Sequence, residues 1–164
     1  MSPSNYYYKN DQHIVNYVLV RYLFPTLFSF FFIFQAAADT GYAVFTLNND
    51  FKELSKSKVR MLYRGKLKYL QGEKIELSDW SQKNPVRHEF YQVLLGKDIA
   101  QMNAYWARLS FSGKARPPKE ITPDTIQVLL DWASEKDSRI GYAPLNLLPT
   151  NVKVLYIVRK EEKS

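Results

Sequence analysis

Apolar positions recur at helical spacing in several stretches of the chain. Phe90, Tyr91, Leu94 and Leu95 form one stripe, the spacing that places side chains on a single helix face. Gly96 follows, a residue suited to the left-handed position that closes a helix. Asp98 then opens a second helix, with Gln101 three residues on, the spacing of an acidic capping box. Ile99, Met102, Trp106 and Leu109 carry its stripe, and Gly113 and Pro117-Pro118 stop it. Val86 to Pro118 therefore predicts two helices back to back, a core-forming unit. A third helix is expected from Ile126, Leu129, Leu130 and Ala133, with Thr122 as its cap and Pro123 in its first turn. A short helix is expected after the cap residue Ser55, with Val59, Leu62 and Tyr63 facing inward and Gly65 ending it.

Between these lie β-rich runs. Tyr42 to Leu47 is β-branched and aromatic and predicts a strand, turned by Asn48-Asn49-Asp50. Lys74 to Leu77, Arg139 to Ala143 and Val152 to Val158 predict three more. Asp79 to Pro85 reads as a polar loop, and the charged tail Arg159 to Ser164 is expected to fray. Strands separated by helices predict one α/β domain over residues 39–164, a mixed or parallel sheet with helices packed on its faces.

The N-terminal region follows a different pattern. Leu23 to Phe34 is apolar except at Pro25, Thr26 and Ser29, with Arg21 before it and Ala36-Ala37-Ala38 after it. That order of charge, apolar run and small residues predicts a secretory signal cleaved after Ala38, and hence a periplasmic protein. The run is short for a bilayer core of roughly 30 Å. Extending it back through Tyr17 to Val20, as an uncleaved anchor would require, buries Arg21. Met1 to Asn16 is polar and tyrosine-rich and reads as a prefix to a signal starting near Val18.

Composition narrows the function classes. The 164 residues are 46% hydrophobic and 24% charged, a globular balance, and the formal net charge is +7. Lysines are scattered, with no run of five, so a nucleic-acid partner is not expected. With no cysteine, a thiol nucleophile, a disulfide framework and zinc-thiolate sites are excluded. His88 precedes Glu89, but Gln92 stands where a zinc-protease helix needs its second histidine. His13 lies in the prefix. Six glycines are scattered singly, so no phosphate-cradling loop is present, and no pair of carboxylates is obviously placed to face each other. Neither catalysis nor a cofactor is expected. Tyr105, Trp106, Phe111 and Tyr142 read as core, or alternatively as the lining of a ligand surface.

Three segments carry a family resemblance: LSKSKVRMLYRGK from Leu54 to Lys66, Phe90 to Pro118, and RIGYAP from Arg139 to Pro144. Together they resemble a small, single-unit branch of the phosphate-type substrate-binding proteins of ABC transporters. The resemblance implies a periplasmic-binding-protein-like (type II) α/β fold and export from the cytoplasm. It also implies a phosphate or other small oxyanion ligand, and an inner-membrane permease or another envelope protein as partner. Full-length members close two lobes on phosphate, and this chain supplies about one lobe's worth of sequence. They hold the anion partly with an Arg, an Asp and a Ser-Gly-Thr turn at a helix N-terminus. The corresponding stretch, Leu77 to Pro85, has no such turn and no Arg before Ser78. The candidate ligand-binding residues are then Ser78, Ser81, Asn84 and Arg87, gathered at a helix that starts at Pro85 with Asn84 as its cap. Two functions follow: an exported solute-binding protein for a small oxyanion, or an accessory protein that keeps the fold and has lost the ligand.

Overall fold

The computed structural model describes residues 41–160. The apolar run Leu23–Phe34, the expected cleavage after Ala38, the prefix and residues 161–164 lie outside the described residues.

Seven strands and four helices are described. β1 is Gly41–Thr46, and α1 is Lys56–Leu62. β2 (Tyr69–Leu70) and β3 (Glu73–Lys74) form a small hairpin, followed by β4 (Glu76–Asp79). α2 is Pro85–Leu95 and α3 Ile99–Phe111. β5 (Lys119–Glu120), α4 (Ile126–Ser134), β6 (Arg139–Pro144) and β7 (Lys153–Arg159) complete the order. The main sheet runs β5-β4-β6-β1-β7. β4 pairs parallel with β5 and β6, and β1 pairs antiparallel with β6 and β7. The sheet is thus mixed, as expected of this α/β chain. The segment Lys74–Leu77, expected to be one strand, is divided: Lys74 ends β3 and Glu76 begins β4.

Local signals place the helices. Ser55 Oγ accepts from the Lys58 N–H at the start of α1. Asn84 Oδ1 accepts from the Val86 N–H at the start of α2, with Pro85 in the first turn. The capping box of α3 is closed in both directions between Asp98 and Gln101. Gly96 adopts φ +65 and lets its N–H bond back to the Gln92 carbonyl. The core gathers the inward stripes: Val59, Leu62, Tyr63, Phe90, Tyr91, Leu94, Met102 and Trp106 are buried in one cluster with Val44, Phe45 and Tyr142. Phe90 stacks on Tyr142 at 3.6 Å between ring centroids, and Tyr63 meets both edge-on.

The start of α4 differs from the sequence expectation. Its cap is Thr125, whose Oγ1 accepts from the Val128 N–H, while Thr122 and Pro123 lie outside the helix and are joined by a cis peptide. Either threonine satisfies the capping rule by type, and only Thr125 stands one residue before the helical run. The buried face of α4 includes Trp132, where Leu130 is only half-buried. The Arg139 guanidinium lies 4.7 Å over the Trp132 ring. Arg139 also pairs with Glu76 and Glu135, so β6 is tied at its first residue to β4 and to the end of α4. Among the described residues, no helix is long and apolar enough to cross a membrane.

Candidate anion site

The parallel strands β4 and β5 run side by side, and each is followed by a loop that leads into a helix. In open α/β sheets the crevice beyond the carboxyl ends of parallel strands is where ligands settle. Here the β4–α2 loop brings Ser81 and Asn84 to the start of α2, and the β5–α4 loop brings Asp124 to the same point.

Ser81 Oγ donates to Asp124 Oδ2 at 2.7 Å, and Asn84 Nδ2 donates to the same oxygen at 2.9 Å. Asn84 performs two tasks, because its Oδ1 caps the Val86 N–H while its amide nitrogen reaches the carboxylate. These two hydrogen bonds, Asn84 first and Ser81 second, hold the Asp124 carboxyl below its ordinary range. An anionic group of the chain therefore stands beside a helix N-terminus, where the first N–H groups and the helix dipole favour negative charge.

Ser78 and Arg87 face elsewhere. Ser78 is buried in β4, its hydroxyl close against Gly141 of β6. Arg87 is buried and turned inward. Its Nε lies 3.2 Å from Asp79 Oδ2 as an ion pair, without the alignment of a hydrogen bond. Its Nη1 donates to the Trp80 carbonyl at 3.0 Å and reaches Glu120 at 3.4 Å. So Ser81 and Asn84 converge on one point, while Ser78 and Arg87 belong to the layer beneath.

That layer is centred on Asp79, which sits in the interior and not in the polar loop expected to begin there. Its carboxylate accepts from the Tyr91 hydroxyl at 2.8 Å, the Tyr142 hydroxyl and the Trp80 N–H. Burial pushes the Asp79 carboxyl up to about 6, with Arg87 and the three hydrogen bonds acting against that rise. Burial likewise raises the Tyr63, Tyr91 and Tyr142 hydroxyls, with the Asp79 charge adding to the effect. The Trp80 indole N–H donates to the Tyr142 carbonyl at 2.8 Å and locks the loop's first residue onto β6. His88 is exposed, its Nε2 2.7 Å from the Gln82 carbonyl. Of the four aromatics weighed as core or ligand surface, Trp106 and Tyr142 are buried and Tyr105 is half-buried. Phe111 is 94% exposed.

Sequence reasoning reached Ser81, Asn84 and the helix start, and missed Asp79 and Asp124. Asp124 follows Thr122-Pro123 and reads locally as part of a helix cap. Its real partners lie 43 and 40 residues away, beyond what periodicity reports.

No protein-family model and no curated protein matches the chain. Solved structures do. One is an ABC-type phosphate transport receptor from Vibrio cholerae, at 11% identity and a TM-score of 0.54, covering 71% of this chain and 45% of that one. A second, assigned as a phosphate ABC transporter substrate-binding protein from Clostridium perfringens and carrying bound phosphate, gives 15% identity and a TM-score of 0.54. It covers 71% of this chain and 44% of its own. The chain thus spans less than half the length of these receptors, and at such identities the likeness is one of fold. The periplasmic-binding-protein-like fold expected from the sequence is the fold the chain adopts, and its likeness to phosphate-type binding proteins holds at that level.

Proposed function

We propose that this protein is a non-catalytic, exported module of the phosphate-receptor fold that serves as an accessory or interaction component of the cell envelope. In this reading its anion-receiving helix terminus is closed by its own Asp124. The observation that carries the reading is the Asp124 carboxylate resting on Ser81 and Asn84. A tethered carboxylate meets those donors at high effective concentration, so a free oxyanion must displace it. Arg87, the cation in the first turn of that helix, is already paired with Asp79. Its partner is then a permease or another envelope protein. Calorimetric titration with phosphate and with sulfate tests this. The reading predicts no binding heat up to millimolar anion, and a saturable one-to-one isotherm in the micromolar range would contradict it.

A second reading, solute binding, is supported by the likeness to a receptor with bound phosphate and by the gathering of Ser81 and Asn84 at one helix start. Here phosphate or another small oxyanion takes the place of Asp124 on Ser81 and Asn84, and Ser78 and Arg87 complete the ligand set by turning out of the layer beneath. Arg87→Ala then abolishes binding while Lys114→Ala leaves it intact.

A further inference from the structure

A separate recess lies beside α1 and shares no residue with the α2 terminus. Lys56, Ser57, Arg60, Met61, Arg64 and Lys66 line it, enclosing about 460 Å³. Four of these six side chains are cationic and none is acidic. Their convergence follows from the helix. Lys56 and Arg60 stand four residues apart on α1, as do Ser57 and Met61, so two columns share one face. Arg64 follows in the turn that Gly65 closes, and the Tyr105 hydroxyl of α3 donates to the Arg64 carbonyl at 2.7 Å, fixing that turn.

Three of these charges are not neutralised from within: among the described residues, Arg60, Arg64 and Lys66 stand in no ion pair. The Arg60 Nε–H is buried without an acceptor. Like charges grouped around one concavity raise its potential and concentrate anions there. The space equals that of about fifteen liquid waters, too large for one tetrahedral oxyanion to touch every wall. A guanidinium fork fits a phosphoryl group through two parallel hydrogen bonds. Two or more phosphoryl groups held together also balance several cations within a short reach.

We propose that this recess binds a ligand bearing two or more phosphoryl groups, supplied either as a free oligophosphate or as the headgroups of an anionic membrane. The test uses the chain with two probes: calorimetry with tripolyphosphate, and co-sedimentation with vesicles of phosphatidylglycerol in phosphatidylcholine. Wild type binds at least one probe. Arg60→Gln/Arg64→Gln weakens that binding about tenfold or more, as does Lys66→Glu at an exposed position. Lys160→Gln leaves it unchanged. Binding of tripolyphosphate alone assigns the free ligand, and binding of vesicles alone assigns the headgroup. Should the double arginine variant fail to melt cooperatively, Lys66→Glu decides. Neither probe binding, Lys160→Gln weakening binding as much as the recess variants, or a hexaglutamate peptide binding more tightly than tripolyphosphate would overturn the proposal.

Discussion

Asp79 shows how one buried charge organises its surroundings and leaves a measurable trace. Its folded carboxyl titrates near 6, against an ordinary value of 3.8. Between those values the folded protein holds a proton that the unfolded chain has released. Stability therefore rises as pH falls from about 6 toward 4, and is lost as pH rises through 6, by about 2–3 kcal/mol at most. Glu76, Asp124 and Glu135 have lowered carboxyls, so their contributions disappear only at more acidic pH. Denaturant midpoints should be higher at pH 5 than at pH 7 in wild type, and flat over that range in Asp79→Asn; an equal slope in both would assign the effect elsewhere. Arg87→Ala leaves Asp79 buried without its cation and should cost about 3–5 kcal/mol, read as a lowered melting temperature at neutral pH. At Gly65, φ is +65 and an added Cβ would lie 2.9 Å from the Trp106 ring. Strain and overlap together predict that Gly65→Ala loses about 2–4 kcal/mol. Trp106 is 4% exposed, and Trp106→Ala should lose about 3–5 kcal/mol. A soluble Trp106→Ala protein melting like wild type would show that this face contributes nothing to the core.

At the scale of elements, caps separate local reading from tertiary fact. Thr125→Ala removes the hydroxyl that accepts from Val128 and should cost about 1 kcal/mol. Thr122→Ala, at an exposed position outside α4, should change stability by less than about 0.5 kcal/mol. Chemical denaturation of the two variants checks the assignment, and the reverse order would restore Thr122 as the cap. The helix pair α2–α3 was legible because its stripes, its Gly96 closure and its capping box all act within a few residues. Trp132 escaped because Leu130 and Trp132 both neighbour the Leu129 face, and only the packing of Arg139 and β6 selects between them. Asp79 escaped because a carboxylate before Trp80 reads as a loop residue until Tyr91, Tyr142 and Arg87 surround it. Such partners come from α2 and β6, and pattern along the chain carries no information about their meeting.

For the whole molecule, the parallel pair β4–β5 gathers two loops at one helix start, and in the proposed reading the chain fills that place with its own Asp124. Ser81 and Asn84 were legible as donors, since their types and position before Pro85 announce a cap. That their acceptor is Asp124 was not, because the β5–α4 loop returns there only through the sheet. The central claim is that Asp124 occupies the anion position of this fold, and it is tested most directly by titrating wild type and Asp124→Ala with phosphate in the same calorimeter at pH 7. The account predicts no heat for wild type and measurable one-to-one binding for Asp124→Ala, where Ser81 and Asn84 are released. Binding by wild type that Asp124→Ala leaves unaltered would contradict it.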